Sequence, residues 1–206
     1  MIKSIDGLFD ELLNISTDAN QQDVVCTRKA YFNYGPTEYC FLERLFQNYP
    51  FTEEDHIVDF GCGKGRVLVM AAYYLCRNLT GYELDVDRHN TAILNFRSFQ
   101  KKYNYPINYK ILWQNAEQAV IDATANKFFF FRPFHLKVYI KLFDRILESV
   151  KQYDRKIYLF LYFPFQDTVQ YLDSLGTFLK LDENKCYRLN KRKNTVDYEY
   201  VIYANR

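Results

Sequence analysis

The chain has 206 residues, of which 49% are hydrophobic, 18% aromatic and 25% charged, with seven glycines and five prolines. This composition suits one compact domain, able to bury roughly 70% of the surface its unfolded form would expose, and excludes disordered and collagen-like chains. Twenty-seven Lys and Arg against 25 Asp and Glu give a net charge of +2, so any nucleic-acid footprint has to be local.

The first sixteen residues, MIKSIDGLFDELLNIS, are interrupted by Asp6, Asp10 and Glu11 and do not read as a signal peptide. Ile2, Ile5, Leu8, Phe9, Leu12 and Leu13 recur at helical spacing, which predicts an N-terminal helix followed by a polar connector. A second amphipathic helix is expected from near Thr37 to Tyr49, between Pro36 and Pro50. From Asp55 onward strands and helices alternate. Strands are expected at 56–60, 79–84, 107–113, 127–131 and 156–163, and helices near 65–76, 87–100, 115–122, 136–153 and 166–175. The strands are almost continuously apolar, as in a parallel sheet covered by helices on both faces. Two further strand-like runs, 177–189 and 195–204, flank the polar turn Asn190–Asn194 and predict an antiparallel hairpin. The longest apolar runs, Val67–Cys76 and Ile157–Phe165, fall short of the roughly 20 residues that span a bilayer, so no membrane partner is expected. Five scattered cysteines form no zinc-type cluster, so no metal is expected, and they read as reduced thiols of a cytoplasmic protein.

Three of the seven glycines, Gly61, Gly63 and Gly65, fall within five positions where a strand gives way to a helix. Glycines there permit a tight turn and close approach of a ligand to the backbone, and free amides at the helix start would favour an anionic group. A nicotinamide cofactor is the weaker reading, because Arg66 stands where the third glycine of G-x-G-x-x-G would fall. A nucleotide P-loop is excluded, because Lys64 is followed by Gly65 rather than Ser or Thr. Glu83 lies 22 positions after Gly61 at the end of the next strand, a spacing that suits a carboxylate reaching ribose hydroxyls.

The string Asp59-x-Gly61-x-Gly63-x-Gly65 followed by Glu83 resembles motif I of the class I S-adenosylmethionine-dependent methyltransferases, and the likeness extends over residues 55–204. The resemblance implies an α/β fold with a Rossmann-like, mostly parallel seven-stranded sheet, a C-terminal antiparallel hairpin and an N-terminal helical extension. It also implies S-adenosyl-L-methionine as cofactor. By the same resemblance Asp59 and the loop Gly61, Cys62, Gly63 and Gly65 hold the methionine end, Glu83 binds ribose, and Asn115 approaches adenine where relatives carry Asp. The segment 31–37 looks like the family's cofactor-covering stretch, with Tyr34 and Thr37 as candidates. Packing, or capping of the following helix by Thr37, is the other reading. On this view residues 1–50 form a helical extension or lid, and 51–206 the methyltransferase core.

The fourth strand runs into Phe131-Arg132-Pro133-Phe134-His135, which resembles the F-N-P-F ending of small bacterial methyltransferase-like proteins. Arg132 occupies the polar position, and a guanidinium has no acceptor for the hydrogen of an amine. It can hold a substrate carboxylate or phosphate, or serve as a solvated charge. His135 can act as general base, or simply begin a helix. Five of nine residues from Lys185 to Lys193 are basic, with Lys191, Arg192 and Lys193 at the turn, suited to an anionic acceptor or to guarding a sheet edge. The expected activity is methyl transfer to an unidentified acceptor. A cofactor-binding module without turnover and an RNA methyltransferase are the alternatives.

Overall fold

A computed structural model describes residues 4–18, 35–187 and 196–206. Two N-terminal helices, α1 (Ile5–Leu13) and α2 (Tyr39–Asn48), precede an alternating series: β1 (His56–Phe60), α3 (Arg66–Tyr73), β2 (Asn78–Glu83), α4 (Val86–Tyr103), β3 (Asn108–Trp113), β4 (Lys127–Phe131), α5 (Leu136–Gln152), β5 (Tyr158–Tyr162) and α6 (Gln166–Ser174). The hairpin β6 (Phe178–Tyr187) and β7 (Val196–Asn205) ends the chain. The seven strands form one sheet in the order β3-β2-β1-β4-β5-β7-β6. Strands β1 to β5 are parallel, and β7 inserts antiparallel between β5 and β6.

The unbroken apolar strands are explained by burial on both faces. In β4, Phe128 and Phe130 pack under α5 with Leu159 and Leu161 of β5, while Phe129 joins Phe160, Tyr162 and the buried side chains of α2, α3 and α4 on the opposite face. Helix α5 presents Val138, Tyr139, Leu142, Phe143 and Ile146 to the sheet, as its apolar stripe requires. At the amino edge, buried polar groups are paired. Lys127 Nζ lies 3.0 Å from Asp55 Oδ2, and His56 bonds Thr124 and Thr80 through its two ring nitrogens at 2.8 and 2.9 Å. Those groups serve the fold.

One expected element is corrected. Residues 115–122 contain no α-helix but a single 3-10 turn, Ala116–Gln118, followed by irregular chain that leads into a turn at Asp122–Ala125. The connection must cross β2 and β1 to reach β4 and also return to the sheet's amino edge. Three strand spacings alone amount to about 14 Å, and a helix advances only about 1.5 Å per residue. Non-helical backbone covers that distance with the residues available.

The order of the strands reverses at β1 and β4, where the crossovers diverge: α3 and α4 lead to one side of the sheet, α5 and α6 to the other. In open α/β sheets ligands bind in the crevice outside the carboxyl ends of the strands at such a point.

Candidate active site

The loop from β1 to α3 is shaped by three left-handed residues, Gly61, Gly63 and Gly65, with φ of 87°, 55° and 86°. Side chains rarely adopt these angles, which explains the glycine density. A fourth glycine has a different purpose. A Cβ on Gly81 of β2 would stand 2.7 Å from Cys62 Sγ and 2.8 Å from Leu68 Cδ1, so β2 needs a bare backbone for the loop to lie on it.

Within the loop itself several amides are already engaged, ahead of the α3 start at Arg66, where no side chain caps the first amides. Gly61 and Cys62 both donate to the Tyr82 carbonyl, at 2.8 and 3.0 Å, and Gly65 donates to Cys62 O at 2.9 Å. Gly63 donates to Glu83 Oε2 at 2.8 Å. Because β2 runs directly beneath the loop, its carbonyl and carboxylate take the amides of Gly61, Cys62 and Gly63.

Glu83 also takes the amides of Leu84 and Asp85 on Oε1, both at 2.8 Å. Burial raises its pKa, opposed by the Asp85 amide, the Arg88 charge and the Gly63 and Leu84 amides. Asp59 differs. It is 3% exposed, and among the described residues nothing donates a hydrogen bond to its carboxylate. Burial pushes its pKa well above the usual carboxylate range, with the nearby Glu83 charge adding to the rise. Burial likewise raises the Cys62 thiol, which is consistent with an inert packing group.

Asn115 follows β3 and accepts the Glu117 amide at 2.9 Å as cap of the 3-10 turn. Next to it, sequence reasoning passed over Trp113. This sole tryptophan pairs in register with Glu83, donates Nε1–H to Leu84 O at 3.0 Å and is 63% exposed, so its ring stands at the crevice rim.

Arg66 was read only as an absent glycine, yet it anchors a buried polar cluster. Its guanidinium, 2% exposed, donates to Thr17 Oγ1 at 2.6 Å, Asp6 Oδ2 at 2.5 Å and Thr37 O at 3.0 Å, and lies 4.3 Å from the Tyr39 ring centroid. Asp10 completes the cluster by accepting from Thr17 N, Thr17 Oγ1 and Tyr39 Oη. Lys64 Nζ donates to Asp18 O at 2.7 Å, and Asn95 bonds both the amide and the carbonyl of Ser16 at 3.0 Å. The N-terminal extension is thus fastened to the helix that begins at the glycine loop. Thr37 is buried within this cluster and does not cap α2, because Glu38 holds the N-cap position. Tyr34 lies outside the described residues.

On the opposite wall, Pro133 packs so closely that a Cβ on Gly61 would meet its Cβ at 3.1 Å. This contact seats the turn after β4 over the glycine loop. Arg132 there has φ of 40°, and its guanidinium carbon lies 4.9 Å from the Phe165 ring centroid. His135 is exposed as the N-cap residue of α5. The structure therefore brings Asp59, Gly61, Cys62, Gly63, Gly65 and Glu83 together and sets the turn bearing Arg132 across from them, with His135 exposed three residues further on at the start of α5. Strand β6 runs in the direction of β5, so its end at Tyr187 lies at this same sheet edge. Lys191, Arg192 and Lys193 themselves lie outside the described residues.

No family model matches the chain, and no curated protein resembles it in sequence. Solved structures do. A SAM-dependent methyltransferase from Methanosarcina mazei aligns with a TM-score of 0.59 at 15% identity, over 79% of this chain and 96% of that one. The magnesium protoporphyrin IX methyltransferase of Synechocystis PCC 6803, crystallised with bound SAM, aligns with a TM-score of 0.54 at 11% identity, over 81% of this chain and 76% of its own. A protein from Pyrococcus horikoshii described as a candidate RNA methyltransferase gives 0.54 at 13% identity, over 80% and 81%. This chain has the class I methyltransferase fold.

Proposed function

We propose that the protein is an S-adenosylmethionine-dependent methyltransferase. The observation that carries this reading is Asp59, a buried carboxylate with no donor among the described residues, beside a loop whose amides are already committed. Such a site suits a cofactor that brings a cation. Asp59 and the loop Gly61, Cys62, Gly63 and Gly65 would face the methionine end and its ammonium group, with Thr37 and Tyr34 belonging to the covering segment. Glu83 retains lone-pair capacity for a ribose hydroxyl beyond its three backbone donors. Asn115 and Trp113 border the adenine side. Residues 1–50 act as an extension that closes over a core formed by 51–206, through the Arg66 cluster.

When bound, the cofactor would supply a sulfonium methyl group for in-line transfer to an acceptor nucleophile, with the methyl–sulfur bonding pair left on sulfur. The chain's own contribution is alignment and exclusion of water. Arg132 positions the acceptor, and His135 takes the proton released when the acceptor is a hydroxyl or an amine. Without turnover the same site would make a binding module, so formation of S-adenosylhomocysteine separates the two.

The test is thermal unfolding with S-adenosylhomocysteine and, separately, NADH. At 100 times its dissociation constant a ligand stabilises by about 2.7 kcal/mol, a rise of roughly 5 to 11 °C for a chain of this size. A shift with S-adenosylhomocysteine and none with NADH is expected. The reverse result removes the reading.

A further inference from the structure

The glycine loop is held from two sides. Its first half is pinned to β2, through Gly61 and Cys62 on the Tyr82 carbonyl and Gly63 on Glu83. Its second half is fastened to α4 and to the segment 14–18 that follows α1. Lys64 Nζ donates to Asp18 O at 2.7 Å, Lys64 O accepts from Asn95 Nδ2 at 2.8 Å, and Arg66 Nε donates to Thr17 Oγ1 at 2.6 Å. Between these anchors a Cβ on Gly65 would stand 3.4 Å from Ala92 Cβ, so the loop lies directly against α4.

Asn95 is the joint between loop and segment. Its side chain is buried; Oδ1 accepts the Ser16 amide at 3.0 Å, while Nδ2 donates both to Ser16 O at 3.0 Å and to Lys64 O at 2.8 Å. A side-chain amide has two N–H donors and one carbonyl, so a single residue grips one peptide of the segment and one of the loop. Neither peptide can shift without leaving buried polar groups unpaired, which is costly.

The segment is attached in a way that allows it to release. Ile5, Leu8 and Leu12 share one stripe of α1 and are 67%, 53% and 41% exposed, whereas Asp6 and Asp10 turn inward to Arg66 and Thr17. Asn14 adds bonds from Nδ2 to Ser98 O and Oγ at 3.1 and 2.9 Å. An element held mainly by polar contacts, with few buried apolar ones, opens locally at less cost than the core beneath it.

We propose that residues 14–18 form a strap whose docking is coupled to cofactor binding through the second half of the glycine loop, with Asn95 and Thr17 as positioning residues. The proposal rests on the methyltransferase reading, and goes beyond it by giving cofactor affinity to residues that act only through the loop. With the strap docked, Lys64 and Arg66 are fixed and the loop keeps the shape the methionine end requires. With the strap released, binding has to restore that shape. Coupling of this kind is reciprocal, so the ligand holds the strap by the same factor by which the strap improves the ligand.

The experiment is amide hydrogen exchange of the full chain with and without saturating S-adenosylhomocysteine, together with calorimetric affinities. The Ser16 and Thr17 amides, which are bonded to Asn95 and Asp10, should exchange at least about fivefold more slowly with ligand, the lower end of common coupling. The Leu175 amide, at the end of α6 on the other face of the sheet, should not change. The double variant Asn14→Gly with Thr17→Val leaves every loop residue in place and removes four bonds that hold the strap. It should exchange faster at Ser16 and bind S-adenosylhomocysteine about 3- to 10-fold more weakly, because only the docked fraction is competent. Tyr203→Phe, which removes a bond to Asp173 beneath α6, should leave the affinity unchanged. In Asn95→Ala the ligand should still bind, yet the slowing at Thr17 should fall to less than about half. Strap exchange that is indifferent to a bound ligand overturns the proposal, and that measurement needs no variant. Unaltered affinity in a double variant whose strap exchanges faster, or full slowing at Thr17 in Asn95→Ala, does so as well. If the unaltered chain fails to bind S-adenosylhomocysteine at all, the methyltransferase reading falls and the coupling with it; binding without the exchange response removes the coupling alone.

Discussion

The two walls of the crevice are constructed in opposite ways. On the β1–β2 side, loop donors are spent: the amides of Gly61, Cys62 and Gly63 end on Tyr82 and Glu83, and Arg66 ties the following helix to α1, α2 and the 14–18 segment. On the β4–β5 side, Arg132 has its ring contact with Phe165 but no hydrogen bond to a described residue. A wall satisfied from within can keep one shape for one invariant ligand. A wall with unspent donors can be matched to an acceptor without altering its neighbour. The exception on the first wall is Asp59, whose unmet carboxylate is what a cationic ligand would complete.

The largest test of this contrast is Arg66. Removing its charge strands the buried Asp10 and removes the partner of the half-exposed Asp6, and breaking a buried pair from one side costs about 3 to 5 kcal/mol. Arg66→Gln should lower the midpoint of chemical denaturation accordingly, whereas Arg132→Gln should change it by within about 0.5 kcal/mol because that group has no partner to strand. Comparable losses in the two variants would erase the distinction between the walls.

Asp59 gives the next largest effect, with two opposite signs. Asp59→Asn should weaken S-adenosylmethionine by about 10- to 100-fold, the value of a charge-assisted contact. The same change should stabilise the unliganded chain at neutral pH, because it removes an uncompensated buried charge. A variant that both binds normally and melts normally would place the carboxylate outside the site.

The raised pKa of Asp59 adds a pH dependence. Folded unliganded protein holds this proton at pH values where the unfolded chain, with an ordinary Asp near 3.9, has released it. Stability of the unliganded chain therefore contains a contribution present at low pH that is lost as pH rises through the folded pKa. A cationic ligand requires the ionised form, so its affinity should rise with pH across that window and level off above it, with proton release on binding. Calorimetry in buffers of different ionisation heats measures the proton, and Asp59→Asn should abolish it.

The contrast also explains what could be foreseen from the chain alone. Sheet strands announced themselves because apolar runs such as Lys127–Phe131 have both faces to bury, and the glycine loop because left-handed backbone demands glycine. The Arg66 cluster did not. Asp6, Asp10, Thr17, Thr37 and Tyr39 meet Arg66 across separations of up to 60 residues, and no local pattern marks a contact made by folding. Residues 115–122 misled for a related reason: helical composition is a local property, while the span from β3 to β4 is set by the sheet. The engagement of the Gly61 and Cys62 amides was equally hidden, because sequence spacing does not reveal that the Tyr82 carbonyl lies beneath them.

Asn115 offers the smallest and most local test. Its side chain already accepts the Glu117 amide, so it is part of the satisfied wall even though it borders the adenine side. Asn115→Ala removes the cap and should cost about 1 kcal/mol of stability. Asn115→Asp keeps an accepting oxygen for the same amide and adds negative charge at the start of the turn, so stability should be retained. If adenine is held chiefly by shape and by groups other than this side chain, Asn115→Asp should alter S-adenosylhomocysteine affinity by less than about threefold, within the modest range of a neutral hydrogen bond. A larger gain would mean that the carboxylate oxygen left over from capping reaches the adenine amino group. That outcome would move Asn115 from the part of the wall that is internally complete to the part that is finished by its ligand.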